Sequence, residues 1–207
     1  MEQEVIIDTS EEVYQPAEDT YLIIDMLLSY LKTSNSNLSL LDVGTGTGVI
    51  GISSAKSKKI SKLTLLDINP KAVSLAKSNV KQNQELLRET TVKVLQSDLF
   101  TNLPKEKYDI ITFNPPYLPN EKNAEILNEA FFGGWSGIEV TQIFLKRSLE
   151  YLSNDGVIFI VSSSLADMNK LTTYINELNF VTQKQEKVHI FFEDIICSEL
   201  HLKKINC

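Results

Sequence analysis

Cysteine is scarce in this 207-residue chain, with Cys197 and Cys207 the only two. They fall at no CxxC spacing that would make a zinc site and are too few for a disulfide framework, so a reducing, intracellular setting is expected. Basic charge is short as well. Twenty lysines and arginines stand against 27 aspartates and glutamates, a formal net charge of -7 with a pI near 5.0. Holding long nucleic acid by its phosphates requires a lysine and arginine footprint, so direct nucleic-acid binding is not expected. There is no run of about 18 apolar residues to span a membrane, and residues 1–9 carry acids and no apolar stretch of signal-peptide length. The expectation is a soluble, cytoplasmic protein without a membrane partner. Apolar residues, by contrast, make up 43% of the chain, enough at this length for one α/β domain to bury its own core. Residues 1–207 are expected to form a single domain, with 1–37 as an N-terminal segment and leading helix and 38–207 as the core.

Residues 19–31 place Leu22, Ile23, Met26, Leu27 and Tyr30 at helical spacing after Pro16 and two acids, which predicts the leading helix. From there strand and helix alternate. Strands are predicted over 38–43, 63–66, 92–95, 109–113 and 156–161, and helices over 49–57, 72–80, 140–152 and 165–178. Such alternation calls for a mostly parallel sheet with helices on both faces. Two β-rich runs at 180–188 and 190–202 then follow too closely for a parallel crossover and imply an antiparallel hairpin. The expected fold is therefore α/β and Rossmann-like, a seven-stranded sheet closed by a C-terminal hairpin. The long stretch 118–137 contains Pro119, Gly133, Gly134 and Gly137 and reads as a substrate loop or as a surface excursion.

After the first strand the chain runs LDVGTGTGVIG, with Gly44, Gly46 and Gly48 at every second position. Glycine lets the backbone turn sharply and approach a ligand without a Cβ in the way. Nicotinamide dinucleotides use a similar turn, but their usual spacing is GxGxxG, so the pattern here leans towards a nucleoside ligand without excluding the other. Asp67 ends the second strand about twenty residues past the turn, where a carboxylate accepts hydrogen bonds from ribose hydroxyls. Asp98 follows the third strand, placed to accept from an exocyclic adenine amine while Leu99 covers the ring. Asp42, two residues before Gly44, either faces the sulfonium and amino groups of S-adenosylmethionine or merely fixes the glycine turn.

At the carboxyl end of the fourth strand stands NPPY, Asn114 to Tyr117. Two consecutive prolines hold φ and offer no N–H, which presents the Asn114 side chain and the Pro115 carbonyl as rigid acceptors for one NH₂ group. The lone pair of an amide or aromatic amine is delocalised, so such a nitrogen attacks a methyl carbon only when its hydrogens are oriented. The Tyr117 ring is placed to lie against the planar acceptor. The chemistry needs no metal, and none is expected. Asn114, Pro115 and Tyr117 are the candidate catalytic residues, and Asn114 also borders the cofactor.

Taken together, YQPAEDT (14–20), LDVGTGTGVIG, LDINPKA (66–72), SDL (97–99), FNPPY and GGWSGIEV (133–140) resemble the HemK-like glutamine N5-methyltransferases. Within that family the short chain is similar to the eukaryotic and archaeal branch acting on class I translation termination factors. NPPY alone is shared with adenine and guanine amino-methyltransferases, and the YxPxEDT segment is what narrows the match. The resemblance implies S-adenosylmethionine as cofactor, with Thr20 at its methionine end, Asp42, Gly44 and Gly46 lining it, Asp67 at the ribose, and Asp98 and Leu99 at the adenine. It implies that Asn114 and Pro115 grip the glutamine of a GGQ loop in a release factor. It further implies a heterodimer with a small zinc-binding activating subunit along an edge strand, here residues 91–95 with Val92 and Val94. The pattern is departed from at Phe131, Phe132 and Trp135, so no role is carried onto that loop.

Competing readings remain at this stage: an amino-methyltransferase acting on nucleic-acid bases or on lysine, a nicotinamide-dependent oxidoreductase, and a non-catalytic cofactor-binding subunit. His189 and His201 read as strand residues of the hairpin, Cys197 as core, and Lys56, Lys58, Lys59 and Lys62 as a solvated helix end.

Overall fold

The apolar runs become seven strands of one sheet in the computed structural model, which describes residues 4–119 and 135–204. They are β1 (Leu38–Val43), β2 (Ile60–Asp67), β3 (Thr91–Gln96), β4 (Tyr108–Phe113), β5 (Leu152–Ser163), β6 (Phe180–Ile190) and β7 (Glu193–Leu202). Their spatial order is β3-β2-β1-β4-β5-β7-β6. The first five pair in parallel, and β7 runs antiparallel to both β5 and β6. Successive strands are added outward to opposite sides of the β1/β4 pair, and this switch in strand order opens a crevice at the carboxyl ends of those strands, where open α/β sheets bind ligands.

Among the described residues five helices cover the sheet: α1 (Glu18–Thr33), α2 (Val49–Ser54), α3 (Pro70–Gln82), α4 (Glu139–Ser148) and α5 (Met168–Glu177). Strand residues alternate between two cores. Leu40, Ile110, Val157 and Phe159 pack with α1, α2 and α3, whereas Leu41, Ile111, Ile158 and Ile160 pack with α4 and α5. Period-2 alternation of wholly apolar strands is what two covered faces require. Local chemistry sets the helix starts: Asn69 accepts a hydrogen bond from Lys71 N with Pro70 next to it, and Asp167 accepts from Lys170 N.

Boundaries differ from expectation where pairing overrides composition. The helix expected over 140–152 stops at Ser148, and β5 starts at Leu152 rather than 156, because Leu152 pairs with Tyr108 before a register shift takes up Ser153 to Asp155. β2 likewise begins at Ile60, opposite Leu38. The helix expected over 49–57 ends as α2 at Ser54 and tightens into one 3-10 turn, Ala55–Ser57. Most of the stretch 118–137, with Phe131, Phe132, Gly133 and Gly134, lies outside the described residues, as does Cys207.

The N-terminal segment is tied down by two asparagines one turn apart on α3. Asn83 Oδ1 accepts from Ile6 N at 3.0 Å, and its Nδ2 donates to Ile6 O at 2.6 Å. Asn79 repeats the arrangement with Asp8, at 3.0 and 3.1 Å, and donates to Thr47 O at 2.8 Å in the glycine turn. The amides act as two rungs of a ladder, so residues 6–8 are strapped onto α3, and Val13, Tyr14 and Pro16 are led to the crevice.

Candidate active site

A cavity of roughly 600 Å³ opens at the carboxyl ends of β1, β2 and β4, within the usual range for small-molecule sites. Its floor is the glycine turn. Gly44, Gly46 and Gly48 all have positive φ (+63, +55 and +85°), and a Cβ on Gly44 would stand 3.2 Å from the Phe113 ring. Side chains disfavour this conformation, so the glycines are required by the backbone itself.

Asp67 lines the cavity and is 8% exposed. Its Oδ2 accepts from Gly46 N at 2.8 Å and its Oδ1 from Asn69 N at 2.9 Å, which leaves acceptor capacity for a ligand hydroxyl. Burial holds its pKa above the ordinary carboxylate value despite those backbone donors. Asp98 is exposed on the rim, and Leu99 beside it takes the left-handed region at φ +46°, an unusual conformation for a branched side chain next to a cavity. Ile68, 62% exposed, lies on the same wall.

The sequence left two roles open for Asp42. It does not line the cavity: it is wholly buried beneath the turn, where Oδ2 accepts from Thr45 Oγ1 at 2.5 Å and Oδ1 from Thr112 Oγ1 at 2.7 Å. Loss of solvent pushes its pKa up to about 6, with the two hydroxyls opposing the shift. The parallel register sets Thr112 of β4 beside Asp42 of β1, so this carboxylate joins two strands and the turn.

The other wall joins NPPY to the N-terminal segment. Asn114, Pro115, Pro116 and Tyr117 all line the cavity, opposite Tyr14, Pro16, Asp19 and Thr20. Thr20 lines the cavity, with its hydroxyl turned onto Asp19 Oδ1 at 3.0 Å. Asn114 Nδ2 donates to Asp19 Oδ2 at 3.0 Å. Asn114 Oδ1 has no partner, the one buried side-chain polar atom left unsatisfied among the described residues. Such an orphan is uncommon in folded proteins and marks a place for a ligand donor. The Tyr117 hydroxyl is bonded to Asp19, so its ring rather than its oxygen is left to meet a ligand.

Sequence reasoning gave no site role to Asp19 or to the helix that became α4. Val140, Ile143 and Arg147 of α4 close the cavity on its outer side, and their spacing of three and four is a helical face that could have been read as a wall. Arg147 is held by Thr101 Oγ1 at 3.2 Å and stacks over Phe100. The hairpin histidines lie away from the cavity: His189 contacts Asp194 and His201 contacts Glu199, at 2.9 and 2.7 Å. Cys197 is fully buried, which pushes its thiol pKa up. Lys59 donates to Ser34 O and Lys62 pairs with Glu106, so part of the basic cluster serves local contacts. Among the described residues no group of three or more His, Cys, Asp or Glu is placed to hold a metal ion, and no helix is long and apolar enough to cross a membrane.

The family model for the methyltransferase small domain matches residues 24–191. A putative protein N5-glutamine methyltransferase of Methanocaldococcus jannaschii is 37% identical over 188 residues, covering 89% of both chains. The chain belongs to the HemK-like glutamine methyltransferases. A release factor glutamine methyltransferase of Streptococcus pneumoniae is 33% identical over 162 residues, 74% of this chain and 55% of that one. The chain thus spans most of the archaeal relative and about half of the bacterial one. In structure it is similar to the E. cuniculi Mtq2-Trm112 complex, described as methylating the eRF1 translation termination factor, with a TM-score of 0.68 at 22% identity over 93% of this chain and 99% of the other. Membership of this family makes the protein a methyltransferase and removes the nicotinamide oxidoreductase from the readings left open by the glycine turn.

Proposed function

We propose that this protein uses S-adenosylmethionine to methylate N5 of the glutamine amide in the GGQ motif of a class I translation termination factor. The observation that carries the reading is the unpartnered Asn114 Oδ1 in a residue of the cavity wall, next in the chain to Pro115, which also lines the cavity. Two acceptors held by the proline pair suit the two hydrogens of one amide NH₂. The Tyr117 ring offers the acceptor a flat apolar surface.

The residues present fit the cofactor. In this reading Asp67 would take the ribose hydroxyls, Asp98 the purine amine with Leu99 and Ile68 offering apolar surface beside the ring, and the open glycine turn the backbone of the amino-acid moiety. When bound, the cofactor supplies an electrophilic methyl group on a sulfonium. Methyl transfer from it would make the N–C bond as the S–C bond is lost, and the amide nitrogen would give up one proton to solvent. Asn114 Oδ1 and Pro115 O serve by aligning the nitrogen, and no strong base is called upon, because the positive charge of the sulfonium disperses as the bond forms.

The 1–207 chain is proposed to act as a single cytoplasmic domain. Among the described residues β3 ends the sheet with no strand beyond it, and its Val92 and Val94 are half-buried. An edge of this kind suits strand addition by a small zinc-binding activating subunit. Full activity of a monodisperse protein purified alone would remove the need for that partner. The acceptor itself is tested by transfer of labelled methyl to a cognate termination factor and to its GGQ Gln→Ala version. Label confined to the glutamine form is expected, and equal labelling of both would move the acceptor elsewhere.

A further inference from the structure

Asp19 carries more hydrogen bonds than any other side chain around the cavity. It is 2% exposed. Its Oδ2 accepts from Tyr14 OH at 2.8 Å, Tyr117 OH at 3.0 Å and Asn114 Nδ2 at 3.0 Å, and its Oδ1 accepts from Thr20 N at 2.5 Å and Thr20 Oγ1 at 3.0 Å. Two separate stretches of chain, residues 14–20 and 114–117, therefore converge on one carboxylate.

An ionised carboxylate only accepts hydrogen bonds, so it can hold an asparagine amide only by its NH₂ end. Fixing that end fixes the other. With Nδ2 given to Asp19, Asn114 presents oxygen and nothing else, and that oxygen is the unsatisfied one. Both tyrosine hydroxyls are spent as donors on the same carboxylate. Burial, with the Asp19 charge beside them, pushes both phenols well above their ordinary range, so neither is available as a base.

We propose that Asp19 is a positioning residue that sets the hydrogen-bonding polarity of Asn114, so that the site admits an acceptor bearing N–H and refuses a carboxylate. The inference rests on the reading above that Asn114 holds the acceptor nitrogen, and it adds how glutamine is told from glutamate. A carboxylate in the acceptor position would face oxygen on oxygen, without the donor that its charge demands. Sites built around one hydrogen-bonding pattern reject the wrong partner by large factors for this reason.

The decisive variant is Asp19→Asn. It keeps an oxygen for Thr20 but puts an NH₂ where Oδ2 accepted three donors, and Asn114 then satisfies that NH₂ by turning its own oxygen inward and its NH₂ to the cavity. With a cognate class I termination factor, kcat is expected to fall on the order of 10²-fold, the scale of a misplaced reacting group, with cofactor affinity changed only a few-fold. At the same time the preference for the GGQ factor over its Gln→Glu version, measured as competitive binding, is expected to shrink by about tenfold or more. A fall in kcat with that preference intact would make Asp19 structural and overturn the proposal. If the variant does not fold, wild-type protein still decides: binding of the Gln→Glu factor as tightly as the glutamine form refutes it. Failure of the wild type to methylate the glutamine at all would instead strike the functional reading.

Discussion

Replacing Asn79 with alanine should loosen the N-terminal strap and the glycine turn together. Asn79 is wholly buried and makes three hydrogen bonds, two to the Asp8 backbone and one to Thr47 O. At about 1 kcal/mol net for each bond the loss is about 3 kcal/mol, and the buried Thr47 carbonyl left without its donor adds roughly 1–3 kcal/mol. Urea unfolding of Asn79→Ala should therefore show a midpoint lowered by about 1 M or more, given the usual denaturant slopes. Cofactor affinity should fall as well, since Val13, Tyr14 and Thr47 all line the cavity. Asn83→Ala is the internal comparison, because that side chain bonds Ile6 and Asn79 O but not the turn. It should destabilise while leaving cofactor affinity nearer to wild type. A loss below about 1 kcal/mol for Asn79→Ala would mean that the strap is not held by this ladder and would refute the reasoning. Equal loss of cofactor affinity in both variants would refute the separate role of the Thr47 bond.

Asp42 makes stability pH-dependent in a defined window. Its folded pKa is raised from 3.8 to about 6, so the folded state holds the proton more tightly than the unfolded chain and stability from this group falls as pH rises from about 4 to about 6. Two units correspond to about 3 kcal/mol. The slope of unfolding free energy over that window should flatten in Asp42→Asn, and an unchanged slope would contradict the assignment. Gly44→Ala places a Cβ 3.2 Å from Phe113 at φ +63°, which should cost about 1–2 kcal/mol and weaken cofactor binding measured calorimetrically. Asp67→Ala removes the acceptor of Gly46 N and should weaken cofactor binding at least about tenfold, as expected for loss of a charge-assisted hydrogen bond.

Much of this was legible in the sequence because it is carried by local spacing. Glycine at 44, 46 and 48 announces positive φ, Asp67 and Asp98 announce strand ends, and NPPY names its own rigidity. The mostly parallel sheet and its antiparallel C-terminal hairpin followed from alternation of strand and helix together with the close spacing of the last two β-rich runs, whereas the spatial order of the strands did not. What stayed hidden depends on contacts between distant segments. Asp42 could be read either as facing the cofactor or as fixing the glycine turn, and only strand register brings it Thr112, 70 positions away in sequence. Asp19 looked like a helix-start acid, and only the fold brings Asn114 and Tyr117 to it across 95 and 98 positions. Leu152 appeared to continue a helix because its pairing with Tyr108 is likewise non-local.

The central claim is that Asn114 holds the reacting nitrogen and contributes little to holding the cofactor. Its most direct test is Asn114→Ala, with single-turnover methyl transfer to a cognate termination factor and cofactor affinity measured on the same preparation. The account predicts transfer slowed by about 10²-fold or more, the scale for losing a preorganised group at the reacting centre, with cofactor affinity within a few-fold of wild type. Parallel loss of both, or transfer that survives the substitution, would contradict it.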